Sequence, residues 1–213
     1  SDYQFAKAPN PPKVTAVPGD GKVTLYWDRS AESTQDKYMG NITNDADLYD
    51  FEGYKIYRAT DFEFNDAYNI TDGDGNPTFL EPYVQNGVRA QWDLVDGKSG
   101  WHPVDLNGIK FYLGDDTGLT HSYVDHNVVN GQRYYYAVVS YDYGGDLSNN
   151  IIPSDSPMKL RVNPLTGAVS LGPNVVEVVP SPPSAGFVDA SFVGDQVDHV
   201  FGASSGEVFL EIV

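Results

Sequence analysis

Apolar and polar residues alternate with a period of two along several short segments of the chain, the pattern of half-buried strands. Val14 and Ala16 alternate, Pro18-Gly19-Asp20-Gly21 reads as a turn, and Val23, Leu25 and Trp27 alternate again. These residues predict two antiparallel strands with Trp27 facing inward. After a polar loop from Ser30 to Tyr49, FEGYKIYRATD predicts a third strand, with Tyr54, Ile56 and Arg58 on one face and Lys55, Tyr57 and Ala59 on the other. HSYVDHNVVNGQRYYYAVVSYDYGG predicts a short strand, a turn at Asn130-Gly131 and a long strand, and SDSPMKLRV predicts one more. In the long strand, period two puts Tyr134, Tyr136 and Val138 inside and Tyr135, Ala137 and Val139 outside. Tyr135, Tyr141 and Tyr143 are thereby candidates for an outer contact surface.

The remaining segments are less regular. Asp61 to Thr120 is rich in Gly and Asp with short apolar runs such as TFLEPYV, AQWDLV and IKFYLG, which predict hairpins and long loops. The opening residues end in Pro9, Pro11 and Pro12 and read as an extended lead-in over residues 1–10. Past Val162, NPLTGAVSLGPNVVEVVPSPPSAG reads as a Pro-rich connector with one strand-like piece, VVEVV. The end, GEVFLEIV, alternates Val208, Leu210 and Ile212 against Phe209, Glu211 and Val213. No internal repeat, heptad or convincing helix is visible. The 213 residues suffice for one large or two small domains, and 21 Gly, 14 Pro and 15 Tyr fit an all-β composition. The expected organisation is a lead-in (1–10), a sandwich domain (11–165) with an insertion at about 61–120, and a connector with a β-structured tail or partial second sandwich (166–213).

The order of these signals resembles a fibronectin type III module, the seven-stranded antiparallel sandwich of the immunoglobulin-like class. The match rests on Pro12 and Val14, Trp27, Tyr54 and Ile56, and Asn130-Gly131-Gln132-Arg133-Tyr134 leading into Tyr136 and Val138. The resemblance implies structural roles for Trp27, Tyr54, Tyr134 and Tyr136. Tyr134 would be the tyrosine corner, whose hydroxyl bonds back to the upstream backbone. The stretch between the third strand and Tyr123 is about twice the usual length for a domain of roughly 100 residues. Whatever is individual about the protein is expected in that insertion. FEGYKIYRATD and FYLGDDTGL are also similar to modules of large secreted or surface proteins of Bacteroidetes-like bacteria, which implies an extracellular or cell-surface location.

Charge and motifs narrow the chemistry. With no cysteine, disulfides, thiolate zinc sites and cysteine nucleophiles are excluded. A formal charge of −17 disfavours nucleic acid and anionic lipid as partners, and no apolar run of about eighteen residues predicts membrane insertion. The chain opens on Ser1 rather than Met and so reads as a processed product or as a piece cut from a longer chain, the first of which fits a mature exported protein. In TDGDGNP, the residues Asp72, Asp74 and Asn76 alternate as the first ligands of calcium loops do, but Pro77 stands where an EF-hand glycine belongs. The loop reads either as a hairpin turn or as a looser calcium site, calcium being the one cofactor the sequence suggests. Asp45, Asp47 and Asp50 form a second acidic loop and Asp115-Asp116 a third. His102, His121, His126 and His199 lack zinc-ligand spacing, and no nucleophile elbow or phosphate loop is present. No enzyme is expected. Trp92 and Trp101 are candidates for sugar stacking or for loop anchoring. Asn41-Ile42-Thr43 and Asn69-Ile70-Thr71 match the N-glycosylation pattern. Val208, Leu210 and Ile212 are candidate assembly residues for strand addition to a neighbouring copy.

The functional expectation is a non-enzymatic structural or adhesive module of a surface protein, acting by self-association or by contact with neighbouring domains, with a fibre subunit as one form. The alternative is a carbohydrate-binding or spacer module of a secreted multidomain enzyme.

Overall fold

The computed structural model describes residues 6–42, 48–68, 70–71, 77–106, 109–145 and 150–183. The chain divides at Pro183 into two units, and all of these residues belong to the first. In chain order they form β1 (Val14–Gly19), β2 (Lys22–Trp27), the helix α1 (Lys37–Ile42), β3 (Phe51–Ala59), β4 (Ile70–Thr71), β5 (Pro77–Phe79), β6 (Val84–Gln85) and β7 (Val88–Arg89). There follow β8 (Gln91–Asp93), β9 (Trp101–Leu106), β10 (Ile109–Tyr112), β11 (Ser122–Asp125), β12 (Tyr134–Asp142), β13 (Leu160–Val162), β14 (Val169–Leu171) and β15 (Val175–Val178). No helix among the described residues is long and apolar enough to cross a membrane.

The protein is an all-β structure of antiparallel sheets. One sheet has the order β1-β2-β11 and another the order β15-β12-β3-β8. Gly21, at φ 62, supplies the left-handed turn that puts Val14 opposite Trp27 across β1 and β2. Between the two sheets lies one apolar core, in which Val23, Leu25 and Trp27 meet Tyr54, Ile56 and Tyr136. Period-two alternation explains this face directly, because each inward residue has a polar or half-exposed neighbour on β2.

The opposite face of the four-stranded sheet differs from the sequence expectation. Tyr57, Tyr135, Ala137 and Val139 pack in a second core against Phe64 and Ala67, with Phe62, Leu80, Met158 and Leu171 alongside. All nine residues of β12 are therefore buried. The outer tyrosine row is covered by the chain itself, because the inserted segment and the residues after β12 fold back over it. Much of the insertion is built from hairpins, with β4 paired to β5, β6 to β7 and β9 to β10, while β8 joins the main sheet beside β3.

Three further differences have local causes. The helix α1 forms where the pattern predicts none; Asp36 caps it, its Oδ1 accepting the amides of Tyr38 and Met39 at 2.8 and 3.2 Å. Residues of the lead-in are tied down instead of free, with Pro9 and Pro12 buried and the Asn10 amide donating to Thr34 Oγ1 at 2.9 Å. Most consequential, VVEVV of the expected connector is a strand of the sandwich. β15 pairs with β12 from Tyr134↔Val178 to Ala137↔Val175, filling a ladder edge that would otherwise leave buried backbone groups unpaired. The Val14 amide donates to Pro173 O at 2.8 Å, and Asn174 Nδ2 reaches Val138 O at 3.2 Å, which fixes the approach to β15. The hairpin β13–β14 between β12 and β15 projects outward, its residues 161–170 all exposed and Leu165 94% exposed at the tip.

Candidate functional site

The site begins with Lys55, on the outer face of β3, where it stands opposite Val139 of β12 and Gln91 of β8. A lysine in mid-sheet would ordinarily extend to water, but the inserted layer covers this one to 5% exposure. Its ammonium donates to Asp155 Oδ1 at 3.1 Å and lies 3.5 Å from the ring centroid of Phe111 and 4.5 Å from that of Tyr141. Burial pushes the Lys55 pKa down, and the Asp155 carboxylate opposes that shift. The Tyr57 hydroxyl donates to Asp155 Oδ2 at 3.1 Å, so both carboxylate oxygens are engaged. Burial, then Asp155, pushes the Tyr57 hydroxyl well above the ordinary tyrosine range. Gln91 donates its amide to Leu113 O and Tyr141 Oη, both at 3.0 Å, while its Oε1 is buried without a partner.

Above this floor is a cavity of about 310 Å³, the lower end of the range for small-molecule sites. Phe79, Val104, Ile109, Phe111 and Ile152 contribute its apolar walls. At the rim, Trp101 is 59% exposed and meets Tyr112 edge-on with ring centroids 5.0 Å apart, the two facing each other across β9 and β10. The exposed Arg89 holds its guanidinium carbon 5.1 Å from the Tyr112 ring centroid. Among the described residues no carboxylate lies within ion-pair distance of Arg89.

No protein-family model, curated protein or solved structure matches the chain.

Of the aromatic residues singled out in the sequence, only Trp101 stands at the cavity. Trp92 is half-buried against Trp27 and Tyr123, with centroid separations of 5.8 and 5.5 Å, and serves as an anchor. Tyr135 and Tyr141 are 7% and 0% exposed, so neither offers an outer contact surface; the second layer occupies that position. Tyr143 is half-buried between His102 and Lys98. Trp27, Tyr54, Tyr134 and Tyr136 lie in the core between the sheets. The Tyr134 hydroxyl accepts the Val129 amide at 3.0 Å, and the Tyr136 hydroxyl donates to Asp125 at 2.7 Å. Asp125 also receives Arg58 at 3.0 Å and Tyr83 at 3.1 Å.

Asp72, Asp74 and Asn76, with Asp45, Asp47, Asn69 and His199, lie outside the described residues, as do Val208, Leu210 and Ile212. Among the described residues no group of three or more His, Asp or Glu is arranged to hold a metal ion. Asp50 is buried near Asp142 and Asp36, and burial followed by those charges pushes it up to about 8. Asp115 accepts the Tyr112 hydroxyl, and Asp116 accepts the Gly97 amide at 2.8 Å. His121 sits 2.6 Å from Glu32, and His102 is buried with Nε2 2.7 Å from Gly145 O. Glu52, at the start of β3, is wholly buried and neither of its oxygens has a partner among the described residues; burial, then Asp96, pushes it up to about 8.

Lys55, Arg89, Phe111, Tyr112 and Asp155 match no ligand-binding or catalytic motif, although Lys55 falls in FEGYKIYRATD and Phe111 and Tyr112 in FYLGDDTGL. The only signal pointing toward them is the excess length of the insertion.

Proposed function

We propose that this chain is a non-enzymatic adhesive or structural module of an extracellular or cell-surface protein, built on a fibronectin type III-like sandwich, whose inserted layer makes the contact. The strand orders β1-β2-β11 and β15-β12-β3-β8 and the Tyr134 hydrogen bond support the family reading. The observation that carries the functional reading is the cavity roofed by the insertion, with Trp101 exposed at its rim and no histidine, serine or cysteine among its described lining residues. The polar groups of its floor are engaged with one another, Lys55 and Tyr57 both with Asp155, which favours binding over turnover. A carbohydrate-binding module is the second reading, favoured by the exposure of Trp101.

The test is retention of the full chain on a panel of immobilised extracellular glycans and matrix proteins. Saturable retention on one member is expected, lost in Trp101→Ala with unchanged melting. Turnover of a panel member, or retention indifferent to Trp101, removes the reading. Assembly through Val208, Leu210 and Ile212 is a separable part of the proposal. Deletion of residues 184–213 leaves β15 in place, and filaments seen by electron microscopy of the full chain should vanish with it. Filaments that persist in the deletion sink the assembly role.

A further inference from the structure

The hairpin β13–β14 is an electrostatic exception in this chain. No carboxylate occurs from residue 156 to residue 176, and the only charges there are Lys159 and Arg161, in a chain whose formal total is −17. The tip itself is uncharged, apolar and exposed. Leu165 stands 94% exposed, with Val162 and Val169, paired across the ladder behind it, 43% and 38% exposed. Three such side chains on one projecting hairpin make the kind of apolar patch that marks a contact. The tip is also held in shape. Asn163 Oδ1 accepts the amides of Leu165 and Thr166 at 2.9 and 3.2 Å, and the Asn163 amide donates to Ala168 O at 2.8 Å, so docking it orders little further chain.

The cavity over Lys55 is the matching hole. Phe79, Val104 and Phe111 give it apolar walls, and none of residues 156–176 lines it, so the hairpin of the same chain does not fill it. Its charged lining is mixed in sign, Lys55, Arg89 and Lys110 with Glu81 and Asp155, so an uncharged tip meets no repulsion there. Deleting one buried leucine side chain from a core leaves a void of about 150 Å³. About 310 Å³ therefore admits Leu165 together with the adjoining Pro164 ring. Behind the tip, Lys159 and Arg161 would face the acidic surface of the molecule that receives it, and this chain is itself strongly acidic. We propose that the β13–β14 hairpin of one copy of this chain docks its Pro164-Leu165 tip into the cavity over Lys55 of a second copy. The inference rests on the reading of the chain as a structural module, and adds a contact between copies that does not use residues 184–213.

Sedimentation velocity of the full chain at rising concentration tests the proposal. Concentration-dependent association is expected, weakened about tenfold or more in Leu165→Asp, as loss of one buried leucine implies. That variant changes an exposed side chain and should melt like the parent. Because the chain has no cysteine, a short bismaleimide reads the geometry when Leu165→Cys and Lys110→Cys variants are mixed in equal amounts. Lys110 is an exposed residue of the cavity lining, and cross-linking in the mixture should exceed that of either variant alone. A monomer at every attainable concentration, association indifferent to Leu165→Asp, or no excess of cross-linking in the mixture overturns the proposal. A monomer that keeps Trp101-dependent retention on the panel of glycans and matrix proteins overturns this contact alone. Leu165-dependent association without any such retention upholds the contact and overturns the reading of the cavity as a site for those ligands.

Discussion

At the scale of single residues, the sandwich is held by polar groups as much as by its apolar core. Asp125 is wholly buried and accepts Arg58, Tyr83 and Tyr136, so its charge is compensated where water cannot reach. Tyr136→Phe removes one of these bonds without changing the shape of the core, and should lower stability by about 2 kcal/mol in urea unfolding; an unchanged midpoint would show that the bond contributes nothing. Glu52, Asp50 and Asp142 behave oppositely. Burial raises them to about 8, about 8 and about 7, against 4.5, 3.8 and 3.8. The folded state therefore holds protons that the unfolded chain has released. The resulting stability is fully present below the unfolded values and is lost as pH rises through about 7 to 8. Melting should occur at lower temperature at about pH 9 than at about pH 5, and Glu52→Gln should flatten that dependence. A midpoint that rises over the interval, or a slope unaltered by Glu52→Gln, contradicts the assignment.

At the scale of elements, the strands of the inner core were legible in the sequence because burial on one face leaves a period of two. Val23, Leu25 and Trp27 carry that signal, and the structure buries all three. It misleads for β12, where alternation separates Tyr135 from Tyr134 although both are buried. A strand covered on both faces reads as a continuous apolar run, and tyrosine, with an apolar ring and a polar tip, fits either reading. The cavity was illegible for a related reason. Lys55 looks like any outward lysine until the insertion covers it, and Asp155 lies a hundred residues away in the chain. VVEVV reads as a strand-like piece, but its place in the sandwich was illegible, because four residues between prolines resemble part of a linker until an unpaired ladder needs them. Close packing of β3 on its neighbours has its own signature at Gly53, where any Cβ would collide with the Trp92 carbonyl oxygen and the Tyr141 ring. Gly53→Ala should therefore cost about 3 kcal/mol through forced separation of β3 from β8, measured as a shifted urea midpoint. A loss much smaller than that would mean the strands can part without penalty.

At the scale of the whole molecule, the insertion changes what the sandwich is. A two-layer domain with one wet face becomes a body with a second core, and the covered face acquires a cavity instead of a flat aromatic surface. The position of β15 matters in the same way. It is the last described strand and forms the edge of its sheet, hydrogen-bonded to β12, with Pro173 O just ahead of it accepting the amide of Val14. Between it and the rest of the domain stands the exposed tip at Leu165, open to a protease that cuts after leucine. Brief digestion with such a protease should nick the chain there, yet the sandwich fragments should elute together until denatured; immediate separation would show that covalent continuity holds β15 in place. The feature thus makes the domain divisible: a peptide carrying Val175–Val178 and its flanks is a removable part, and the larger fragment is a receptor for it. Fragment complementation, and exchange of that strand between two nicked copies, follow from the placement of one short hairpin.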